Sequence, residues 1–593
     1  MKGGGSLAPT AAQRALTGEP VAGYRPPGRI TGEAPGRVQA EDAGLHRRRL
    51  SVARPYYSPS PPRIFPAPAC STKSGGAEGS RTPDLLNAIE ALSQLSYSPD
   101  RWVSYQNCEQ ADKCLSAIRW AHMLSSHRTD TGGLVPASAA DLAKAIRSKQ
   151  VSSREVIEEH LQRIEAVNPK LNAVAQLVAE DAMRQAADAD EALARGELLG
   201  PLHGIPFTVK DWIETAGVIC AAGRLERRDF VPRRDATVVA RLRAAGAIML
   251  AKTIDGIDNP VYGSPKNPYD LSRAPGGSSS GEAALIAAGG SPLGLGSDSG
   301  GSIRYPAHCC GIAGLKPTSG RVPLTGHFPR INALSDPRTQ IGPMARFVAD
   351  LALVLPLISG PDYSDAGAIP MPLEDWKLVD LRGSGLDMTG NVIPRGSGLN
   401  LTGGGAGQPP VRIAIFTEFA GASATQQTVA TVRKAATALQ DAGAEVEEAV
   451  PPRIEESLPI TRAYWRRVES YSWNEWAPDK EKHRLTPEEI ERSVFEWDPL
   501  RRAFLAFMRR YDAILCPVAG GPAGHGAAAA EEFIFTLPFS LTGYPCVAVR
   551  AGESAEGLPI GVQVVARPWR EDVALAVGRH IENALGGWRP PWG

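Results

Sequence analysis

From about residue 137 onwards, the chain alternates between segments with the pattern of a strand and segments with the pattern of a helix. IPFTVKD predicts a short apolar strand, TVVARLRAAGA a helix and IMLAKT a second strand. Further strands are predicted at VRIAIFTE, YDAILCPV, LTGYPCVAVR and IGVQVVA, and REDVALAVGRHIENAL predicts a closing helix. This alternation predicts an α/β layered fold.

Two helices are predicted near the start of the organised sequence. Ser152 and Glu155 have the spacing of a capping box, and apolar residues follow at helical spacing. We expect this helix to end before Pro169, and a second helix to cover residues 173–197. Both lie in the first part of the α/β pattern.

Two segments fall outside this pattern. Residues 1–132 are rich in proline, carry more basic than acidic residues and show almost no sustained periodicity. They are predicted to be disordered; alternatively, residues 1–122 are an over-extended gene start, with Met123 as the true first residue. Residues 378–410 form a glycine-rich insertion in which RGSGLDMTG is echoed by RGSGLNLTG.

Composition excludes several classes of function. The formal net charge is zero, which gives no electrostatic reason to expect binding of nucleic acid or of an anionic membrane. The eight cysteines are scattered, without the spacing of a metal site or a redox dithiol. Neither a signal peptide nor an apolar run of membrane-spanning length is found. We expect a cytoplasmic protein that acts on a small molecule.

The stretch GGSSSGEAALIAAGGSPLGLGSDSGGSIRYP, residues 276–306, contains far more serine and glycine than a core segment needs. A flexible linker does not fit, because the Gly/Ser clusters surround the helix-forming AALIAA. A phosphate cradle is disfavoured, because neither G-x-x-x-x-G-K-[ST] nor G-x-G-x-x-G occurs here. The remaining interpretation is a serine nucleophile with a base and oxyanion donors.

The segments PGGSSSGEAAL, GSDSGGSIRYP, CGIAGLKPTSGRVP and GIPFTVKD together resemble the amidase signature family. This family of Ser-cisSer-Lys amidohydrolases includes bacterial amidases and fatty acid amide hydrolase. The resemblance covers roughly residues 137–586 outside the insertion. It implies a single domain over residues 133–593, with a central mixed twisted sheet and helices on both faces. It also implies amide hydrolysis, without a metal or an organic cofactor.

The resemblance also assigns the site residues. Ser302 matches the nucleophile, Ser278 the bridging serine in a cis peptide, and Lys210 the base. The matching oxyanion hole consists of the backbone amides of Ser299, Gly300, Gly301 and Ser302. These roles are chemically consistent, because a lysine acts as a base only when burial lowers its pKa, and a hydroxyl can relay its proton. The sequence departs from the family modestly at Ser297 and Ser299, where threonine or an apolar residue is more common.

Several neighbours are predicted to be scaffold. Asp298 and Arg304 should orient the loop, Lys316 should anchor another loop, and His308 should serve packing. The aromatic segments AYWRRVESYSW and FIFTLPFSLTGYP indicate either core or a pocket for aryl or fatty amides.

Three other functions stay open at this stage. GSSSG also fits the nucleophile elbow of an α/β-hydrolase, with Ser279 as nucleophile and a histidine from a set of five: His308, His327, His483, His525 and His580. A second alternative is the ammonia-producing subunit of a tRNA-dependent amidotransferase, disfavoured because Tyr305 replaces the usual glutamine. A third is an inactive amidase-fold binding protein. The favoured prediction is a stand-alone amidase, and the resemblance is compatible with a homodimer.

Overall fold

The computed structural model describes residues 133–331, 336–383, 409–465 and 486–591, all of which belong to one compact unit. The predictions for residues 1–132 and for most of the 378–410 insertion therefore lie outside the described residues. Among the residues described, no helix is long and apolar enough to cross a bilayer.

The described strands form one mixed sheet, in which two groups of parallel neighbours are separated by a run of antiparallel pairs. In chain order they are β1 (Val174–Leu177), β2 (Pro206–Lys210), β3 (Ile248–Thr253), β4 (Leu293–Asp298), β5 (Ala313–Lys316), β6 (Gln340–Ala345), β7 (Arg412–Ile415), β8 (Glu445–Glu448), β9 (Ala513–Pro517), β10 (Cys546–Glu553) and β11 (Pro559–Ala566). Their order across the sheet is β1-β3-β2-β4-β6-β5-β10-β11-β9-β7-β8. Strand β2 lies between β3 and β4 and runs parallel to both.

Helices cover both faces of this sheet. In the described residues they are α1 (Ala139–Arg147), α2 (Ser153–Leu171), α3 (Ala179–Ala194), α4 (Thr237–Ala244), α5 (Ser280–Ala287), α6 (Arg304–Cys309), α7 (Val348–Ile358), α8 (Gln426–Asp441), α9 (Ser457–Trp465), α10 (Pro487–Phe507), α11 (Leu537–Thr542) and α12 (Glu571–Leu585). Val547 and Val549 of β10 pack in one core with α7 and α12, whereas Ala548 packs in another with α5. Alternate residues of a strand point to opposite faces, so the predicted α/β/α architecture is confirmed.

The start of α2 agrees with the sequence, but its end does not. The Ser152 hydroxyl accepts from the Glu155 amide and the Glu155 side chain accepts from the Ser152 amide, as a capping box requires. The helix continues through Pro169 to Leu171, so the prediction that it ends before the proline is wrong. It ends at Asn172, which adopts a left-handed conformation, while Asn168 Oδ1 accepts from the amides of the next residues.

Two further boundaries differ from the sequence pattern. The first residues of the predicted second helix form strand β1, because pairing with the edge of β3 supplies backbone partners that a helix would otherwise provide. Likewise, the LT of LTGYPCVAVR belongs to α11, and the chain leaves that helix at Gly543, which has a φ of 72°. Both errors arise at short apolar runs that fit either structure.

The capping box gives a prediction about stability. Ser152→Ala removes an acceptor for the orphan amide of the first turn, so the free energy of unfolding should fall by about 1 kcal/mol. Urea unfolding of the full chain measures this, with Ser364→Ala at an exposed loop serine as the control. Equal stability of the two variants would show that the box contributes nothing.

Candidate active site

Lys210 lies at the end of β2, in the middle of the parallel part of the sheet, and its side chain is fully buried. Its Nζ donates to Ser278 Oγ at 2.6 Å and to Ser297 Oγ at 3.1 Å. Burial lowers the pKa of Lys210 to about 7, against the opposing charges of Asp255, Asp298 and Glu282. The amine is therefore able to exist in its neutral form near neutral pH.

Ser278 belongs to the turn that precedes α5. The peptide bond between Gly277 and Ser278 is cis, and the Ser278 carbonyl accepts from the Gly256 amide at 2.8 Å. Gly276 has a φ of 77°, and a Cβ there would lie 2.8 Å from Pro306 Cα. Glycine at this position thus lets the turn approach the start of α6, in the segment that follows Ser302.

Ser302 lies in the loop between β4 and α6. The Ser302 carbonyl accepts from the Ser279 amide at 3.2 Å, which joins the two serine-rich segments of the motif. Both Ser278 and Ser302 are half-buried, whereas Lys210 beneath them is sealed from solvent. The fold thus joins the segment of Ser302 to that of Ser278, whose hydroxyl contacts Lys210.

The loop around Ser302 is held by a buried ion pair. Both Arg304 Nε and Nη2 lie 3.0 Å from carboxylate oxygens of Asp298, and both side chains are fully buried. Burial alone would raise the pKa of Asp298, but the Arg304 charge and its hydrogen bonds lower it to about 2. The predicted scaffold role of these two residues agrees with these contacts.

The predicted oxyanion donors differ in their hydrogen bonding. The Gly301 amide donates to Asp298 Oδ1 at 2.8 Å, so its single proton is already engaged. No such bond is found for the amides of Ser299, Gly300 and Ser302 in the described part of the chain. Gly301 has a φ of 132°, and a Cβ there would lie 2.5 Å from Thr536 Oγ1. Position 301 therefore requires glycine, because both its backbone conformation and its close packing against Thr536 exclude a side chain.

Comparison with known proteins places this arrangement in a family. The sequence model of the amidase family matches residues 155–575 of the 593. The chain belongs to the amidase signature family. It is 31% identical over 510 residues to a glutamyl-tRNA(Gln) amidotransferase subunit of Cyanothece sp., covering 77% of this chain and 98% of that protein. It is 30% identical over 482 residues to an acylamidase of Rhodococcus erythropolis, covering 75% of this chain and 94% of that protein.

A solved structure supports the same assignment. The structure of 6-aminohexanoate cyclic dimer hydrolase complexed with substrate matches this chain with a TM-score of 0.64 and 25% identity, across 77% of this chain and 99% of that chain. Together these relatives make the protein a hydrolase that acts on carbon–nitrogen bonds. The predicted family and reaction class are confirmed.

The elbow alternative finds no support in this amidase. Ser279 is fully buried, and its Oγ lies 3.4 Å from the Ser297 carbonyl oxygen. The rings of His308 and His327 contact backbone carbonyls, those of Gly521 and Pro329 among them. His483 lies outside the described residues. Separately, the described residues contain no cluster of His, Cys, Asp or Glu able to hold a metal ion.

Sequence reasoning missed two supports of the Ser302 loop. Thr536 Oγ1 lies 2.6 Å from the Gly300 carbonyl oxygen, and Thr339 Oγ1 lies 2.6 Å from Ser299 Oγ. Thr339 lies in a segment that the sequence analysis did not single out. Thr536 lies in the aromatic segment FIFTLPFSLTGYP, whose pattern gives no sign of this contact. Lys316 donates to the Tyr544 carbonyl at 2.9 Å, consistent with its predicted role as an anchor.

Apolar side chains border the same loop. A Cβ on Gly300 would lie 3.5 Å from Trp465 Cζ2 and 3.6 Å from Leu537 Cδ2. Most of the FIFTLPFSLTGYP segment, including Phe535 and Phe539, is fully buried in the core. This segment therefore serves mainly as core. Of AYWRRVESYSW only residues 463–465 are described; Tyr464 is buried, and Trp465 is half-buried beside the loop.

The buried ion pair gives a second stability prediction. Asp298→Ala leaves the Arg304 guanidinium buried without its charge partner, so the free energy of unfolding should fall by about 3 kcal/mol or more. The matched control is Glu448→Ala, which removes the exposed Arg433–Glu448 pair, and should have little effect. Urea unfolding of both variants compares them, and similar small losses would contradict the scaffold role.

Proposed function

We propose that this amidase hydrolyses a small-molecule carboxylic amide through an acyl-enzyme on Ser302, with Lys210 as the base acting through Ser278. The observation that carries this proposal is the 2.6 Å contact between Lys210 Nζ and Ser278 Oγ at a fully buried amine. A serine hydroxyl needs a base to become a nucleophile, and a buried lysine with a pKa near neutrality meets that need. We assign Ser278 as the bridge between Lys210 and Ser302, because a hydroxyl can donate one hydrogen bond and accept another at the same time.

The reaction then proceeds by proton transfers along one path. Neutral Lys210 takes the proton of Ser278 while Ser278 takes that of Ser302, whose Oγ bonds to the amide carbon. The carbonyl oxygen gains negative charge. We assign its stabilisation to the backbone amides of Ser299, Gly300 and Ser302, which donate hydrogen bonds to it. Gly301, whose amide is engaged by Asp298, shapes this loop instead. Lys210 returns the proton through Ser278 to the departing nitrogen as the carbon–nitrogen bond breaks, and water then hydrolyses the ester.

The substrate class follows from the surroundings of this loop. Trp465 and Leu537 border Gly300, so an apolar acyl group is favoured over a small polar one. The alternative, an ammonia-producing amidotransferase subunit, draws on the relative from Cyanothece sp.. Tyr305, a buried residue whose hydroxyl donates to the exposed Glu532 at 3.3 Å, stands where that subunit usually has glutamine. We therefore favour a stand-alone enzyme, which we expect to be cytoplasmic and able to form a homodimer.

Hydrolysis of a panel of amides by the full chain tests this function. Benzamide, an anilide, a long-chain fatty amide and glutamine should be offered, with the first three preferred. Ser302→Ala and Lys210→Ala should each lower the rate by at least about 1000-fold, because they remove the nucleophile and its base. Lys266→Ala, at an exposed lysine, is the matched control.

Each other outcome points elsewhere. Turnover of glutamine alone would favour the amidotransferase function. An inert protein whose Ser302 also fails to react with a fluorophosphonate would favour an inactive binding protein. Full activity in Lys210→Ala would overturn the assigned base.

The pKa of Lys210 predicts the pH dependence. Because only the neutral amine accepts a proton, kcat/KM should fall as the pH drops below the pKa, with a midpoint at about 7. The measurement is kcat/KM between pH 5 and 9 on the best substrate of the panel. A flat profile across this range would contradict a lysine base tuned by burial.

A further inference from the structure

Trp212 lies two residues after Lys210, at the point where the chain leaves β2. Lys210 Nζ sits over the face of its indole ring, 4.0 Å from the centroid. The side chain is 6% exposed and lies in a small apolar cluster with Ala222 and Phe328. An ammonium over an indole is attracted by the electron-rich face of the neutral ring, most strongly when water is excluded.

The indole is fixed by polar contacts on its edge. Its Nε1 donates to Asp255 Oδ2 at 2.5 Å. Asp255 in turn accepts from Asn259 Nδ2, at 3.2 Å on Oδ1 and 3.0 Å on its backbone carbonyl. The Trp212 carbonyl also accepts from the Phe328 amide at 2.8 Å, and the ring of His327 meets the indole edge-on at 5.8 Å. Asp255 and His327 therefore both contact the ring, Asp255 through the indole N–H.

From this geometry we infer that Trp212, held by Asp255, is a positioning residue for the base: it fixes the Lys210 amine beneath Ser278 and stabilises its protonated form. The inference rests on the proposed role of Lys210. It adds a residue that acts on the reaction only through its contact with the base. Trp212 limits where Nζ can lie, and Ser278 and Ser297 then determine the direction of its hydrogen bonds.

Other charged groups also act on Lys210. Asp298 on β4 and Glu282 on α5 raise its pKa, as Asp255 does. Asp298 is already neutralised by Arg304, and Glu282 accepts from Thr253 and Thr208, so neither is aimed at the amine alone.

Two basic groups complete the surroundings. Lys252 on β3 forms an ion pair with Asp211 at 3.9 Å. Burial lowers the pKa of His327 to about 4, so this ring stays neutral during catalysis. Asp255 and the indole that it holds also favour the cation.

The test uses the pH dependence of Ser302 labelling by a fluorophosphonate, which needs the base but no particular amide. Labelling of the full chain is followed by intact-protein mass between pH 5 and 9. In Trp212→Leu, the midpoint of the acid limb should move to lower pH by about half a unit or more, because a group that favours the protonated amine is lost. The plateau rate should fall by about tenfold or more, because the amine is less well placed.

Three further variants separate the contributions. Trp212→Phe keeps an aromatic face, so its acid limb should move less and its plateau rate should fall less than in Trp212→Leu. Asp255→Asn keeps an acceptor for the indole but removes the charge, so its acid limb should also move to lower pH. Trp588→Phe is the matched control: this indole donates to the Ala287 carbonyl and lies under Arg346, away from the site. Its profile should match that of the unaltered protein.

The outcomes distinguish this inference from the proposed function. An unmoved acid limb in Trp212→Leu and Asp255→Asn, with Lys210→Ala unreactive, would overturn the role of Trp212 and leave the base assigned. Equal loss of plateau rate in Trp212→Leu, Trp212→Phe and Trp588→Phe would mean packing alone and would also overturn it. Labelling that persists in Lys210→Ala would overturn both.

Discussion

The site depends on a lysine buried at the centre of a sheet. Strand β2 has a parallel neighbour on each side, and the Lys210 side chain at its end is fully buried. Taking a cation out of water is costly, and the amine responds by giving up its proton more readily. Two serine hydroxyls, an indole face and nearby carboxylates then decide where Nζ lies and how strongly it holds the proton.

A second buried charge supports the loop that carries Ser302. Arg304 pairs with Asp298 and also donates to the Thr536 carbonyl at 2.9 Å and to Ser540 Oγ at 2.8 Å. Gln563 of β11 accepts from the same guanidinium at 3.2 Å. The loop that carries Ser302 is therefore held by residues from the C-terminal half of the chain. These bonds satisfy the planar donors of an arginine that would otherwise be buried at high cost.

Strong patterns in the sequence were sufficient for most elements. IPFTVKD and IMLAKT form strands because their apolar side chains are buried on both faces, and the Ser152 capping box begins α2 as its spacing predicts. The errors occur where a short run fits two structures. Val174–Leu177 is a strand because the edge of β3 was available to pair with it, which no local pattern could reveal.

The sequence by itself determined the family and the candidate site residues. The glycine and serine motif lies in one contiguous segment, and the candidate base, Lys210, ends a separate apolar strand that the local pattern predicts. Only the tertiary structure decided the environment of these residues. Trp212, Thr339 and Thr536 act on the site through space, and the Gly301 amide proved to be engaged by Asp298. The physical reason is that burial, charge and hydrogen bonding depend on which distant segments pack together, whereas a motif records only neighbours along the chain.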